Sequence, residues 1–139
     1  MYTEGDITRN IIGQAMRVHR EVGPGFKETV YHRALTHALT EIGLYIDVEK
    51  RYDVSFAGSR VGTFIPDIVV EKKIIVELKS VSDMKKLFYA QIISYLRAAG
   101  MEVGLLINFG NQSLEFKRFA NYKDYSKSIS GIQIIQGNL

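Results

Sequence analysis

The sequence predicts an α/β protein: a mixed β-sheet with helices on its faces, in the order ααβββαββ. Three observations predict it. Apolar residues recur at helical spacing twice before Gly43. Beyond Gly43 the period becomes two, the signature of strands. A third helical stretch then leads into "VGLLINF", Val103 to Phe109, a wholly apolar run that reads as a strand buried on both faces.

The first helix carries Ile7, Ile11, Ile12, Ala15, Val18 and Val22 at helical spacing, with Thr3 and Asp6 as caps before them. "GPG", Gly23 to Gly25, ends it, because Pro lacks a donor and Gly permits unusual dihedrals. The second helix is marked by Val30, Tyr31, Ala34, Leu35, Ala38, Leu39 and Ile42 and stops at Gly43. Val48, Tyr52, Val54 and Phe56 mark the first strand. "AGSR" turns the chain into a second strand, about 61–70, and a third follows over 74–80. Ser82 or Asp83 is the expected cap of a third helix reaching Ala99 and closed by Gly100. After the apolar strand, "GNQ" is a turn and 113–119 alternates as a further strand. The last stretch, 120–139, is polar apart from Ile132 to Ile135 and reads as a peripheral strand or ordered tail.

A chain of 139 residues suits one domain with one core. The absence of cysteine excludes a disulfide scaffold, thiolate metal sites and a Cys nucleophile, and it fits a reducing compartment. The polar N-terminus is not a secretory signal, and no apolar run approaches the roughly 20 residues of a membrane span. A cytoplasmic protein without membrane contact is therefore expected. His19, His32 and His37 form no metal-binding spacing and read as surface residues. "GPGFKE" is not a phosphate loop, since it lacks the Lys-Ser/Thr pair and follows a helix. A net charge of +3 tolerates a polyanionic partner without requiring one.

The stretch "FIPDIVVEKKIIVELKS", Phe64 to Ser80, places Asp67, Glu77 and Lys79 inside apolar strands. If Glu71, Lys72 and Lys73 form a three-residue hairpin loop, Val70 faces Ile74 and Asp67 falls opposite Glu77. Glu77 and Lys79 share a face because side chains alternate. A two-residue loop would scatter the cluster. Two opposed carboxylates in an apolar setting are destabilising unless something compensates. Lys79 offsets one of them; a divalent cation offsets both, and Mg²⁺ takes one or two carboxylates together with waters and phosphate oxygens. The structural alternative is a strand end where Asp67 and Glu77 reach solvent and Lys79 pairs with either.

Pro66-Asp67 followed by Glu77-Leu78-Lys79 resembles the PD-(D/E)XK nuclease motif, and the hairpin, helix and apolar strand resemble that superfamily's αβββαβ core. Within it, Gly25-x-x-Glu28-x-x-Tyr31 resembles the signature of the small bacterial GxxExxY proteins. "IIVELKSV", "AQIISYLRAAG" and "VGLLINFG" are similar to further blocks of that family in the same order, so the resemblance spans about 7–119. It implies a restriction-endonuclease-like fold and a Mg²⁺- or Mn²⁺-dependent nuclease acting on nucleic acid, with DNA the expected substrate and a homodimer a further expectation. It implies Asp67, Glu77 and the backbone carbonyl of Leu78 as metal ligands, and Lys79 as the catalytic lysine. Glu28 would be the helix carboxylate near the metal, and Gln91 the glutamine that orients the lysine or contacts substrate. Tyr89 stands where many relatives have histidine. Glu28 also suits the dipole at a helix start, and Tyr31 also suits a core position with a bonded hydroxyl. The rival reading is a non-catalytic nucleic-acid-binding or protein-interaction module that keeps the fold.

Overall fold

The computed structural model describes residues 2–122, together with the backbone of 132–138. Its elements are α1 (Glu4–Val22), α2 (Glu28–Glu41), β1 (Ile46–Asp47), β2 (Tyr52–Phe56), β3 (Ser59–Phe64), β4 (Ile68–Val70), β5 (Ile74–Lys79), α3 (Lys86–Ala99), β6 (Val103–Asn108), β7 (Glu115–Asn121) and β8 (Ile132–Asn138). The main sheet has the order β1-β4-β5-β6-β7-β8, and β2 and β3 form a separate two-stranded ribbon. Only β5 and β6 run parallel, and α3 supplies the crossover that a parallel pair requires. The fold is therefore mixed α/β, as the period changes predicted, and restriction-endonuclease-like, as the resemblance implied.

α1 begins with a capping box: the Asp6 amide donates to Thr3 Oγ1 at 3.1 Å and the Thr3 amide donates to Asp6 Oδ2 at 3.2 Å. Its buried stripe is Ile7, Ile11, Ile12, Ala15 and Val18, and that of α2 is Tyr31, Leu35, Ala38 and Leu39. Both stripes cover one sheet face, against Ile68, Val76, Leu78, Leu105 and Ile107. α3 covers the other face, packing Ile92 and Leu96 against Val69, Ile75, Leu106 and Phe119. Gly104 makes that approach possible, because a Cβ there would come within 2.9 Å of Ile92. β6 is buried along its whole length, as its unbroken apolar run requires.

Three boundaries differ from expectation. The predicted strand over 61–70 is two strands, broken at Ile65–Asp67, because Pro66 has no amide to donate to a ladder. β3 turns away to pair with β2, and β4 keeps only three residues. The predicted first strand keeps only Tyr52–Phe56 as β2, in the ribbon; Val48 lies outside it, and β1, which was not predicted, joins the main sheet beside β4. α3 starts at Lys86 rather than at Ser82 or Asp83, with Lys85 at the N-cap and no side-chain cap. The segment before it is tied down differently. Asn108 bonds both the amide and the carbonyl of Val81, and Asn111 donates to the Ser82 carbonyl. Of the tail over 120–139, β8 lies at the sheet edge beside β7, and 123–131 falls outside the described residues.

Candidate active site

The β4–β5 hairpin has the predicted register: Ile68 faces Val76, Val69 faces Ile75, and Val70 faces Ile74. Its loop is Glu71, Lys72 and Lys73, closed by the Lys73 amide on the Val70 carbonyl at 3.0 Å. One step beyond the ladder, where Pro66 ends regular pairing, side chains take over. The Asp67 amide donates to Glu77 Oε2 at 2.6 Å, and the Leu78 amide donates to Asp67 Oδ2 at 2.8 Å. Each carboxylate thus caps a backbone donor of the other strand.

This exchange orients the site. One oxygen of each carboxylate is anchored; Asp67 Oδ1 and Glu77 Oε1 accept no hydrogen bond among the described residues. The amide and carbonyl of a strand residue point to the same edge. The Leu78 carbonyl therefore faces the edge that Asp67 occupies. Ile75 belongs to the α3-side core, so alternation places Glu77 and Lys79 on that face as well.

Glu77 is 5% exposed, and Asp67 and Lys79 are half-buried. Burial first, and the Asp67 charge second, push the Glu77 carboxyl up to about 8. Lys79 does not pair with either carboxylate. Its ammonium lies 4.3 Å from the centroid of the Phe88 ring on α3, and it forms no ion pair among the described residues. This departs from the structural alternative, in which Lys79 pairs with Asp67 or Glu77.

Glu28 is the first residue of α2. Although it is exposed, partial desolvation and then the Asp67 charge raise its pKa, while Lys79 and His32 oppose the rise. Its electrostatic neighbours thus include Asp67 and Lys79 of the hairpin. Tyr31 explains why the helix starts there. It is fully buried and stacked on Phe109 at 4.7 Å. Its hydroxyl donates to the Gly23 carbonyl at 2.7 Å and accepts from the Phe26 amide at 3.1 Å. Gly25 within this clamped loop has φ +107, which favours glycine. Ser80 Oγ, just past β5, donates to the Phe26 carbonyl at 2.7 Å and ties the loop to the hairpin. The Gly25-x-x-Glu28-x-x-Tyr31 spacing is therefore a turn, a presented carboxylate and the clamp that holds the turn.

His32, one helical turn beyond Glu28, corrects its reading as a surface residue. It is half-buried, with Nε2 2.8 Å from the Asp67 carbonyl oxygen. Its i+4 offset from Glu28 was the available signal. His19 is corrected likewise: it is half-buried with Nε2 2.8 Å from the Asn111 carbonyl oxygen, whereas His37 is exposed. Gln91 is exposed and makes no side-chain hydrogen bond among the described residues. It lies at i+3 from Phe88 and i−4 from Tyr95, two rings that border the carboxylates: Phe88 carries Lys79, and Asp67 and Glu77 raise the Tyr95 pKa. Tyr89, at the position of the relatives' histidine, turns toward β7 instead. Its ring lies 4.1 Å below the Lys117 ammonium, and its hydroxyl accepts from Lys117.

A family profile of the PD-(D/E)XK nuclease superfamily matches residues 5–119. The chain belongs to the PD-(D/E)XK nuclease superfamily. No curated protein sequence matches it. Within the superfamily motif, Asp67 follows Pro66 on the first arm of the hairpin, and Glu77-Leu78-Lys79 closes the second. Nucleases of this superfamily generally depend on divalent metals. Among the described residues no group of three or more His, Asp or Glu side chains is gathered to hold an ion. The donors available are hard oxygens, namely two carboxylates with one oxygen each unbonded and a strand-edge carbonyl. They fit a cation that keeps water and phosphate in its remaining positions, and they do not fit a closed protein cage.

Proposed function

We propose that this chain is a metal-dependent nuclease of the GxxExxY group that hydrolyses phosphodiester bonds in DNA. The observation that carries the reading is the reciprocal capping of Asp67 and Glu77, which fixes one oxygen of each acid and leaves the other without a hydrogen bond among the described residues. Asp67, Glu77 and that carbonyl would hold Mg²⁺ or Mn²⁺. Such an ion supplies charge stabilisation at the phosphoryl oxygens and a more acidic bound water.

The remaining work falls to this chain's own groups. Lys79 keeps a positive charge on the carboxylate face and meets the charge that develops on phosphorus. Phe88 holds its ammonium off the carboxylates until substrate arrives. Glu28, with its raised pKa, accepts or holds a proton at the mouth of the site. Gln91 contacts substrate or orients Lys79. A single copy offers one such site, so cutting both strands of a duplex would require two copies. The absence of cysteine suits the reducing cytoplasm. A non-catalytic binding module is the second reading, favoured by the structural use of both carboxylates as backbone caps.

The test is cleavage of DNA with Mg²⁺, run beside calorimetric titration of Mg²⁺. Asp67→Ala is expected to lose ion binding and cleavage together. Lys79→Ala is expected to keep ion binding and to lose turnover by roughly 10²-fold or more, as when one transition-state charge partner is removed. Unchanged turnover in Lys79→Ala would make the lysine structural. A wild-type chain that neither binds the ion nor cleaves would leave the binding-module reading standing.

A further inference from the structure

We propose that the outer face of the β2–β3 ribbon grips the sugar-phosphate backbone of DNA beside the scissile bond, with Arg51 and Arg60 as phosphate contacts. The choice of ligand rests on the nuclease reading above.

The ribbon stands apart from the main sheet, and its two faces differ. Tyr52, Val54 and Phe64 turn inward. Tyr52 stacks on Phe64 at 5.6 Å, and Phe64 stacks on Tyr95 of α3 at 4.3 Å. This three-ring stack anchors the base of the ribbon beside the carboxylates, whose charges Tyr95 feels. Phe64 is also only three residues from Asp67, so the ribbon leads directly into the site.

The opposite face carries Arg51 and Thr63 at one end and Arg60 opposite Ser55 at the other, all exposed. It holds an open trough of about 560 Å³ lined by Arg51, Arg60, Val61, Gly62 and Thr63. Arg51 Nη1 donates to Thr63 Oγ1 at 3.2 Å, which aims the guanidinium along the ribbon. Neither arginine forms an ion pair among the described residues. About four residues of strand, roughly 13 Å, separate the two arginines. That span lets the two arginines meet different phosphates of one strand.

Charge complementarity selects a polyanion. The Asp67 and Glu28 carboxylates repel phosphate at the site itself, so a nucleic acid needs cationic contacts beside it. A second copy of the chain suits the ribbon less well. The register shifts between Val54 and Ser55, and a bulge together with charged side chains protects an edge strand from further pairing.

The experiment measures binding of a short labelled DNA duplex in the presence of Ca²⁺ across a salt series. Each phosphate contact steepens the plot of log affinity against log salt by about 0.9. The Arg51→Gln/Arg60→Gln variant is expected to have a slope shallower by about 2 and an affinity lower by roughly tenfold per arginine at about 0.1 M salt. Arg51→Lys/Arg60→Lys should keep the slope, and Asp53→Asn, which removes the exposed anion paired across the ribbon with Thr63, should tighten binding. Arg9→Gln, on the far surface of α1, should change nothing. A wild-type slope in the Gln double variant overturns the ribbon while the nuclease reading stands. An arginine-dependent slope without Mg²⁺-dependent cleavage keeps the ribbon and sinks the nuclease. No duplex binding by the wild type sinks both. A wild-type dimer in solution that the Gln variant dissolves would assign the face to a second copy and overturn the proposal.

Discussion

Glu77 is the residue on which the site's chemistry turns. A carboxyl group lifted from 4.5 to about 8 by burial and by Asp67 holds a proton in the folded chain that the unfolded chain releases. Between those pH values the native state binds more protons than the unfolded state. Stability contributed by this group is therefore fully present below about 4.5, declines as pH rises toward 8, and is level above it. Glu77→Gln keeps an oxygen to accept from the Asp67 amide and cannot ionise. The melting temperature of the wild type is expected to fall across this window more steeply than that of the variant. Parallel declines would mean that the titrating proton sits elsewhere. Lys79 shows the limit of reading charges from sequence alone. Its i, i+2 spacing from Glu77 gave the face, whereas its resting contact is an aromatic ring one element away. His32 shows the same limit: its i+4 offset from Glu28 points it toward the site, but its partner, the Asp67 carbonyl, lies 35 positions on.

At the scale of elements, what was legible was whatever repeats. The stripes of α1 and α2, the apolar run of β6 and the hairpin register all follow from period and loop length, and they appear as expected except at Val30 and Ile42, the two ends of the α2 stripe, which are exposed. What was not legible depends on a single backbone group or on tertiary ties. One missing amide at Pro66 breaks a strand, frees β3 to form the ribbon and leaves Asp67 to cap instead of pair. The start of α3 is set by Asn108 and Asn111, residues that follow that helix in the chain. The hairpin loop also carries an unforeseen cost: Glu71 and Lys72 both adopt left-handed backbone angles, φ 53 and 56. A non-glycine residue there costs about 1 kcal/mol or more. Glu71 compensates by accepting from the Tyr45 amide at 2.6 Å; Lys72 has only an exposed contact, 5.5 Å from the Tyr45 ring centroid. Lys72→Gly should thus raise stability by up to about 1 kcal/mol in denaturant titration. It should leave Mg²⁺ affinity unchanged, because the loop length and register are kept. A loss of stability would mean that the Tyr45 contact outweighs the strain.

For the whole molecule, the distribution of charge matters more than its sum. The chain is only mildly basic, with a net +3. At the mouth of the site the Asp67 charge acts on both Glu28 and Glu77. A phosphate approaching that mouth meets repulsion unless a cation is held there, while surface arginines attract it from outside. DNA affinity is therefore expected to be weak in EDTA and to tighten when Ca²⁺ or Mg²⁺ is added. The gain should vanish in Asp67→Ala, which removes one acid and one anchor of the hairpin. Raising salt should weaken binding in both conditions by counterion release. Fluorescence anisotropy on a labelled duplex, with and without the ion, measures both effects on one protein sample. Divalent-independent binding of equal salt sensitivity would leave the basic surface as the whole of the interaction. The opposed carboxylates would then be caps for a strand end and nothing more.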